Sequence, residues 1–200
     1  MLTQLTTVKA RLNIAPADTT QDDLLTRAIA AVSARFDHEC NRTFARTVGA
    51  TQEFSATDTE IIAQCYPIEA VSKFELKTSE VGGWVEQTVT DYLVRQACVI
   101  SLGAALSAVA QGLLINPGLG RVTYTGGYVL PGTTPGAGQT ALPADLESAA
   151  VEQVAVWYQN RDKLGLIRHW PSNGTYLVLS QLPLLPQVVA MIRPYRRWAI

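Results

Sequence analysis

The chain has 200 residues, 48% of them hydrophobic, enough for a real core and by default a single one. Lys and Arg number 16 against 17 Asp and Glu, so no overall basic field exists to hold nucleic acid by counterion release, and tight non-specific DNA binding is not expected. The three cysteines, Cys40, Cys65 and Cys98, lie far apart with no CxxC pair, a pattern that fits reduced thiols in a cytoplasm.

The opening "MLTQLTTVKARLNI" lacks an apolar signal core and a run of about 20 apolar residues, so neither a secretion signal nor a membrane span is expected there. Thr6 is placed to cap a short helix in which Val8 and Leu12 lie four apart, and Asn13 to Asp18, with Pro16, ends it. Thr20 followed by Asp23 predicts a capping-box-like start to a second helix. Along it Leu25, Ile29, Val32, Phe36 and Cys40 recur at three- and four-residue steps and form one apolar face.

From about Arg42 to Tyr128 the residues favour strands. "RTVGATQEFS", "TEIIAQC", "VSKFELKT", "WVEQTVTDYLVR" and "RVTYTGGYV" are rich in Val, Ile, Thr, Tyr and Phe, with Gly, Pro, Asp and Ser between them, and predict a small antiparallel sheet. "SEVGGW" (79 to 84) reads as a hairpin turn. The most apolar passage, "CVISLGAALSAVAQGLLI", is broken by Gly103, Ser107, Gln111 and Gly112 and reads as strand, short turn or helix, and strand inside the core.

"LPGTTPGAGQT" is a loop by composition. Pro143 in the first turn, with Asp145 and Glu147 near the positive end, begins a long helix striped by Leu146, Ala150, Val154 and Trp157 or Tyr158. The last forty residues combine isolated apolar side chains with Pro171, Pro183, Pro186 and an Asn173-Gly174 turn signal. They read as an arm or hairpin whose apolar side chains need a partner surface, followed by a short helix from about Gln187 to Ile192.

Catalytic patterns are missing from the sequence. Asp22-Asp23 are adjacent on a helix and do not converge on a substrate. His38 and His169 are the only imidazoles and show no metal-ligand spacing with Cys40 or Cys65. There is no GxSxG, and "GLGRVTYTGG" runs into a strand instead of opening a helix, so it is not a phosphate cradle. The "NRT" and "NGT" acceptor patterns carry no weight without a secretion signal. No catalytic residue, cofactor or metal is expected. One cluster remains, Arg193, Arg196 and Arg197 with Tyr195 and Trp198, open to three readings: a protein interface, a solvated or locally packed tail, or a nucleic-acid contact.

Seven pieces in order, "LTTVKARLNI", "QDDLLTRAIAAVSARFDHECNRTF", "YPIEAVSKFEL", "DYLV", "RVTYTGGY", "LPADLESAAVEQVAVWYQNRD" and "LPLLPQVVAMIRPYRRW", cover most of the chain. Together they resemble the head-to-tail connector, or adaptor (head completion), proteins of long-tailed bacteriophages and gene transfer agents. The strand region from Val71 to Gly120 and the arm from Lys163 to Gln187 are longer than the family pattern.

The resemblance implies an α+β fold: a small helical bundle of two N-terminal helices and a later long helix, with an inserted antiparallel β-sheet region and an extended C-terminal arm. The expected core is 1–162, with helices in 1–41 and 143–162 and strands in 42–130; residues 163–200 form the arm and a short terminal helix. It implies a non-enzymatic virion protein of the neck, assembled in the host bacterial cytoplasm. Such a protein forms a homo-oligomeric, usually dodecameric, ring beneath the portal after packaging, meets the stopper or tail, and lets DNA pass through its lumen without sequence-specific binding. The expected portal- or partner-binding residues are Leu184, Leu185, Arg193, Tyr195, Arg196, Arg197 and Trp198. The loop at 131–141 is either a plain connector or a segment that orders on meeting a partner, and removal of Pro186 to Ile200 is expected to leave a folded protein that no longer joins the portal. The alternatives are another neck or tail-completion protein, such as a stopper or tail terminator, and a small cytoplasmic enzyme or regulatory domain. The two opening helices argue against a stopper or terminator, since those are mostly β-rich.

Overall fold

A computed structural model of the chain describes residues 1–88, 91–103, 118–161 and 184–197. The fold is α+β, as expected, but the chain divides into two compact units where the sequence suggested one core: Met1–Cys40 with Leu142–Arg196, and Asn41–Ala141 with Arg197–Ile200. The strand-rich stretch is thus an insertion between two helices. The expected arm lies mostly in 162–183, outside the described residues, as does the apolar stretch 104–117.

The helical unit contains α1 (Leu5–Leu12), α2 (Asp22–Cys40), α3 (Ala144–Gln159) and α4 (Pro186–Ile192), the last running into a 3-10 turn, Arg193–Tyr195. The predicted stripe on α2 is its buried face: Leu25, Val32, Phe36 and Cys40 are fully inaccessible and Ile29 nearly so. Leu146, Ala150 and Val154 on α3 are buried in the same way. Burial of about 25 cal/mol per Å² of apolar surface makes this face the main stabilising term of the unit.

The helix ends differ from the sequence reading. Gln4, not Thr6, holds the N-cap position of α1, with no side-chain cap, and the Thr6 hydroxyl points back to Gln4 Oε1 at 3.4 Å. Thr20 turns its hydroxyl and its N–H to Asp18 Oδ1 (2.7 and 3.0 Å). The turn between α1 and α2 is instead closed by Lys9, a buried ammonium. It donates to the carbonyls of Pro16 (3.3 Å) and Asp18 (2.7 Å) and pairs with Asp22 at 2.5 Å. A lysine is buried only when such partners replace its water. Pro143 occupies the N-cap of α3, one place earlier than expected. A bidentate pair, Arg11 to Glu152 (2.7 and 3.0 Å), joins α1 to α3.

In the strand unit β1 (Thr47–Ser55), β3 (Ile68–Lys77), β4 (Val85–Glu86) and β7 (Leu119–Gly126) form an antiparallel sheet of order β1-β7-β3-β4. A second antiparallel sheet has the order β2-β6-β5, from Glu60–Ile62, Val99–Leu102 and Tyr92–Arg95. One antiparallel sheet was expected. A third pair, β8 (Tyr128–Val129) with β9 (Thr140–Ala141), is parallel, so the end of the 131–141 loop is strand. "SEVGGW" does lie in the hairpin between β3 and β4.

Alternation decides the faces of the larger sheet. Phe54, Leu76, Val122, Phe74 and Tyr124 point to a core shared with Ile61 and Ile100 of the second sheet. The other face carries a charged row across the strands, Glu53, Arg121, Glu75 and Glu86. Glu75 is nearly buried and accepts from Arg121 (2.8 Å) and Lys73 (3.0 Å), while Trp84 from the hairpin lies 4.3 Å from the Arg121 guanidinium. The Arg121 hydrogen bond holds the Glu75 carboxyl below the usual carboxylate range.

Tyr124 Oη accepts the N–H groups of Gln64 (2.9 Å) and Cys65 (3.1 Å) and donates to Gln52 Oε1 (3.3 Å). It therefore pins the 62–65 segment from inside the core, and burial pushes its hydroxyl above the usual tyrosine range. The entry and exit of the unit meet at Tyr128. Its N–H donates to the Phe44 carbonyl and its carbonyl accepts from Arg46 N–H, both at 2.8 Å, while Thr140 pairs with it from the other side. Gly126 and Gly127 make this approach possible. A Cβ on Gly127, at φ +101°, would stand 2.5 Å from the Ala45 carbonyl oxygen, and one on Gly126 would strike the Cys65 carbonyl.

Replacing Tyr124→Phe strands the buried Cys65 N–H, while the Gln64 N–H keeps Gln52 Oε1 at 2.9 Å, and is expected to cost about 1–3 kcal/mol in denaturant unfolding. The depressed pKa of Glu75 adds stability that is complete above the unfolded value of about 4.3 and is lost as pH falls through the lower folded value. Glu75→Gln should therefore lower stability at neutral pH, with the gap to the parent closing in acid; a gap that stays constant with pH would show that Glu75 is not so held.

Candidate partner-binding site

The cluster singled out in the sequence lies at the end of α4. That helix is anchored by Leu184, Val188 and Ile192, all buried. The Leu185 N–H donates to the buried Gln153 Oε1 on α3 (2.9 Å), and Cys40 Sγ donates to the Ile192 carbonyl (3.6 Å). Leu184, Val188 and Ile192 therefore find their surface inside the helical unit, whereas the sequence suggested a partner for Leu184. Removing Pro186 to Ile200 would open that core and cannot serve as a neutral truncation.

Beyond Ile192 the contacts turn polar. Pro194 lies in the 3-10 turn, and Arg196 N–H closes on the Arg193 carbonyl (3.3 Å). Tyr195 sets its hydroxyl between the two oxygens of Asp145 (2.9 and 2.8 Å). Asp145 sits in the first turn of α3 and also accepts the Leu146 N–H. Arg196 approaches Glu39 at 3.6 Å, and Glu39 is shared with Arg35 at 3.7 Å. Arg193 and Arg196 are exposed. Arg197 belongs to the strand unit, where it donates to the Ile62 carbonyl (3.2 and 2.8 Å) and lines a cavity of about 540 Å³ with Gln52, Glu53 and Asp58. Trp198 lies outside the described residues.

The structure thus places Arg193, Tyr195 and Arg196 on one surface turn, Leu184 and Leu185 at the opposite end of α4, and Arg197 in the other unit. Sequence reasoning missed Glu39 and Asp145 as their partners. The acidic residues were visible, but as a helix's polar side and a first-turn charge. It also missed Arg42, buried in the strand unit with its guanidinium 3.2 Å from the Tyr66 ring centroid and 4.6 Å from that of Phe44, and donating to the Tyr66 carbonyl.

Chemically the turn offers guanidinium groups and a phenol, groups that recognise carboxylates and pack at interfaces. Among the described residues no His, Cys, Asp and Glu gather as a metal site, and no helix is long and apolar enough to cross a membrane. His38 is exposed, and His169 lies outside the described residues.

Ile192→Ala should destabilise by about 2–5 kcal/mol by opening a cavity, whereas Arg196→Ala, at an exposed pair, should cost no more than about 1 kcal/mol. Paired urea denaturation curves check this; comparable losses would contradict the division between anchored helix and polar turn.

No protein-family model and no curated protein matches the chain. Solved structures do. A chain from the neck of an empty gene transfer agent particle, computed with C6 symmetry, is similar with TM-score 0.58 and 15% identity, covering 100% of this chain and 91% of that one. A chain from the virion of a native gene transfer agent particle is similar with TM-score 0.55 and 15% identity, at the same coverage. At that identity the likeness is one of fold, and it extends over the whole of this chain.

Proposed function

We propose that the protein is a non-enzymatic structural component of a virion neck, in a bacteriophage or gene transfer agent particle. In this reading it is a ring-forming adaptor that binds beneath the portal after DNA packaging and joins the head to the stopper or tail. The observation that carries the reading is the fold likeness to a gene transfer agent neck chain, which takes in both units and leaves no part of this chain unmatched. Support comes also from the seven ordered sequence pieces that resemble connector proteins. The C6 symmetry of that neck is a subgroup of twelvefold symmetry, so a dodecameric ring is compatible with it.

The near-balance of charge, 16 basic against 17 acidic residues, suits a ring through which DNA slides. In this reading Arg193, Tyr195 and Arg196 face the portal or the next ring, and Leu184, Leu185, Arg197 and Trp198 belong to the same C-terminal partner-binding segment.

Light scattering on the purified protein, alone and with portal-bearing, DNA-filled capsids, tests the proposal. A ring in solution, or a monomer that assembles on the capsids, is expected. A stable monomer that binds no capsid would sink it.

A further inference from the structure

The side chains of the C-terminal turn are already occupied by carboxylates of their own unit: Tyr195 by Asp145, and Arg196 by Glu39. Both contacts lie at the surface. The Arg196 and Glu39 side chains are 43% and 33% exposed, whereas the helix leading to them is fixed by buried Val188 and Ile192. The turn can therefore exchange its polar partners while α4 stays seated. Arg193, exposed, opens the 3-10 turn that Arg196 closes, and among the described residues no carboxylate lies within ion-pair distance of it.

We infer that this turn is a docking surface for a carboxylate-rich segment of a partner protein, and that Asp145 and Glu39 hold its place until the partner displaces them. The inference rests on the neck reading for its setting and adds the chemistry of the partner. Arg35 and Arg196 share Glu39, Tyr195 holds Asp145, and exposed Arg193 adds a third guanidinium to the turn, against two carboxylates. The excess of about one positive charge is too small to grip a run of phosphates, where several neutralised charges set the affinity. It is enough for acidic side chains, which accept two parallel N–H bonds from one guanidinium. Displacement costs little, because an exposed ion pair is nearly balanced by solvation, and it returns the same type of bond with a new partner.

The test uses the full chain with a fluorescent polyglutamate peptide and, separately, a short DNA duplex, read by anisotropy at low salt. Polyglutamate should bind. Glu39→Gln and Asp145→Asn should each tighten it by up to about five-fold, the worth of one surface pair. Glu80→Gln, which makes the same charge change at an 88% exposed side chain of the strand unit, should leave it unchanged. Arg193→Glu with Arg196→Glu should abolish binding while the thermal melt stays near that of the parent.

Equal tightening by Glu80→Gln would reduce the effect to net charge and overturn the inference. So would undiminished binding by the double reversal, or duplex DNA bound as well as polyglutamate. Capsids separate this inference from the reading beneath it. If the parent docks and the double reversal docks equally, the carboxylate site is wrong and the neck role stands. If the parent docks on no capsid, the neck role falls and the polyglutamate result alone decides the site.

Discussion

The strand unit depends on one backbone constraint: its two ends must close on each other, because it is inserted between helices of a different unit. Tyr128 meets that constraint. The entering chain bonds one edge of it through Phe44 and Arg46, and the leaving chain pairs on the other edge through Thr140. Both contacts are parallel, an arrangement that a hairpin cannot supply and that chain segments distant in sequence can. Gly126 and Gly127 are required because the Cys65 and Ala45 carbonyls occupy the space where side chains would begin.

Arg42 acts at the same junction. A cation this deeply buried is costly unless something replaces its water; here the Tyr66 carbonyl takes Nη2, and the rings of Tyr66 and Phe44, with Tyr128 5.3 Å away, face the guanidinium, whose buried Nε and Nη1 have no hydrogen-bond partner among the described residues. Burial also raises the Tyr66 hydroxyl above the usual tyrosine range. The residue that follows α2 is Asn41, in a left-handed conformation at φ 49°, which ends the helix and turns the chain into the sheet. The short step Asn41-Arg42-Thr43-Phe44 thus stops a helix, fills a cation site and begins a strand pairing.

The helices were legible because one periodicity decides both their position and their buried face: the five apolar residues of α2 and the stripe of α3 are buried as spaced. The short helix near the end was legible from Pro186 and the apolar run behind it. The strands were legible as strands but not as sheets. Alternation shows which side of a strand is buried, whereas strand order is set by pairings such as β1 with β7, seventy residues away. Capping was misread at Thr6 and Thr20 because a hydroxyl has several nearby acceptors, and local geometry gave Gln4 and Asp18 the advantage. At the candidate site the arginines and Tyr195 were visible as a cluster. Glu39 and Asp145 were not visible as their partners, since they lie on helices more than forty residues away.

Because the entering and leaving segments of the strand unit are both held on Tyr128, the closure of its ends does not depend on how much chain lies between β3 and β7. Residues can be gained or lost between β3 and β7 without touching the pairings that close the unit. The strand unit is in that sense a cassette, whose interior can be rewritten so long as the Arg42 pocket and the two glycines before Tyr128 still close its ends.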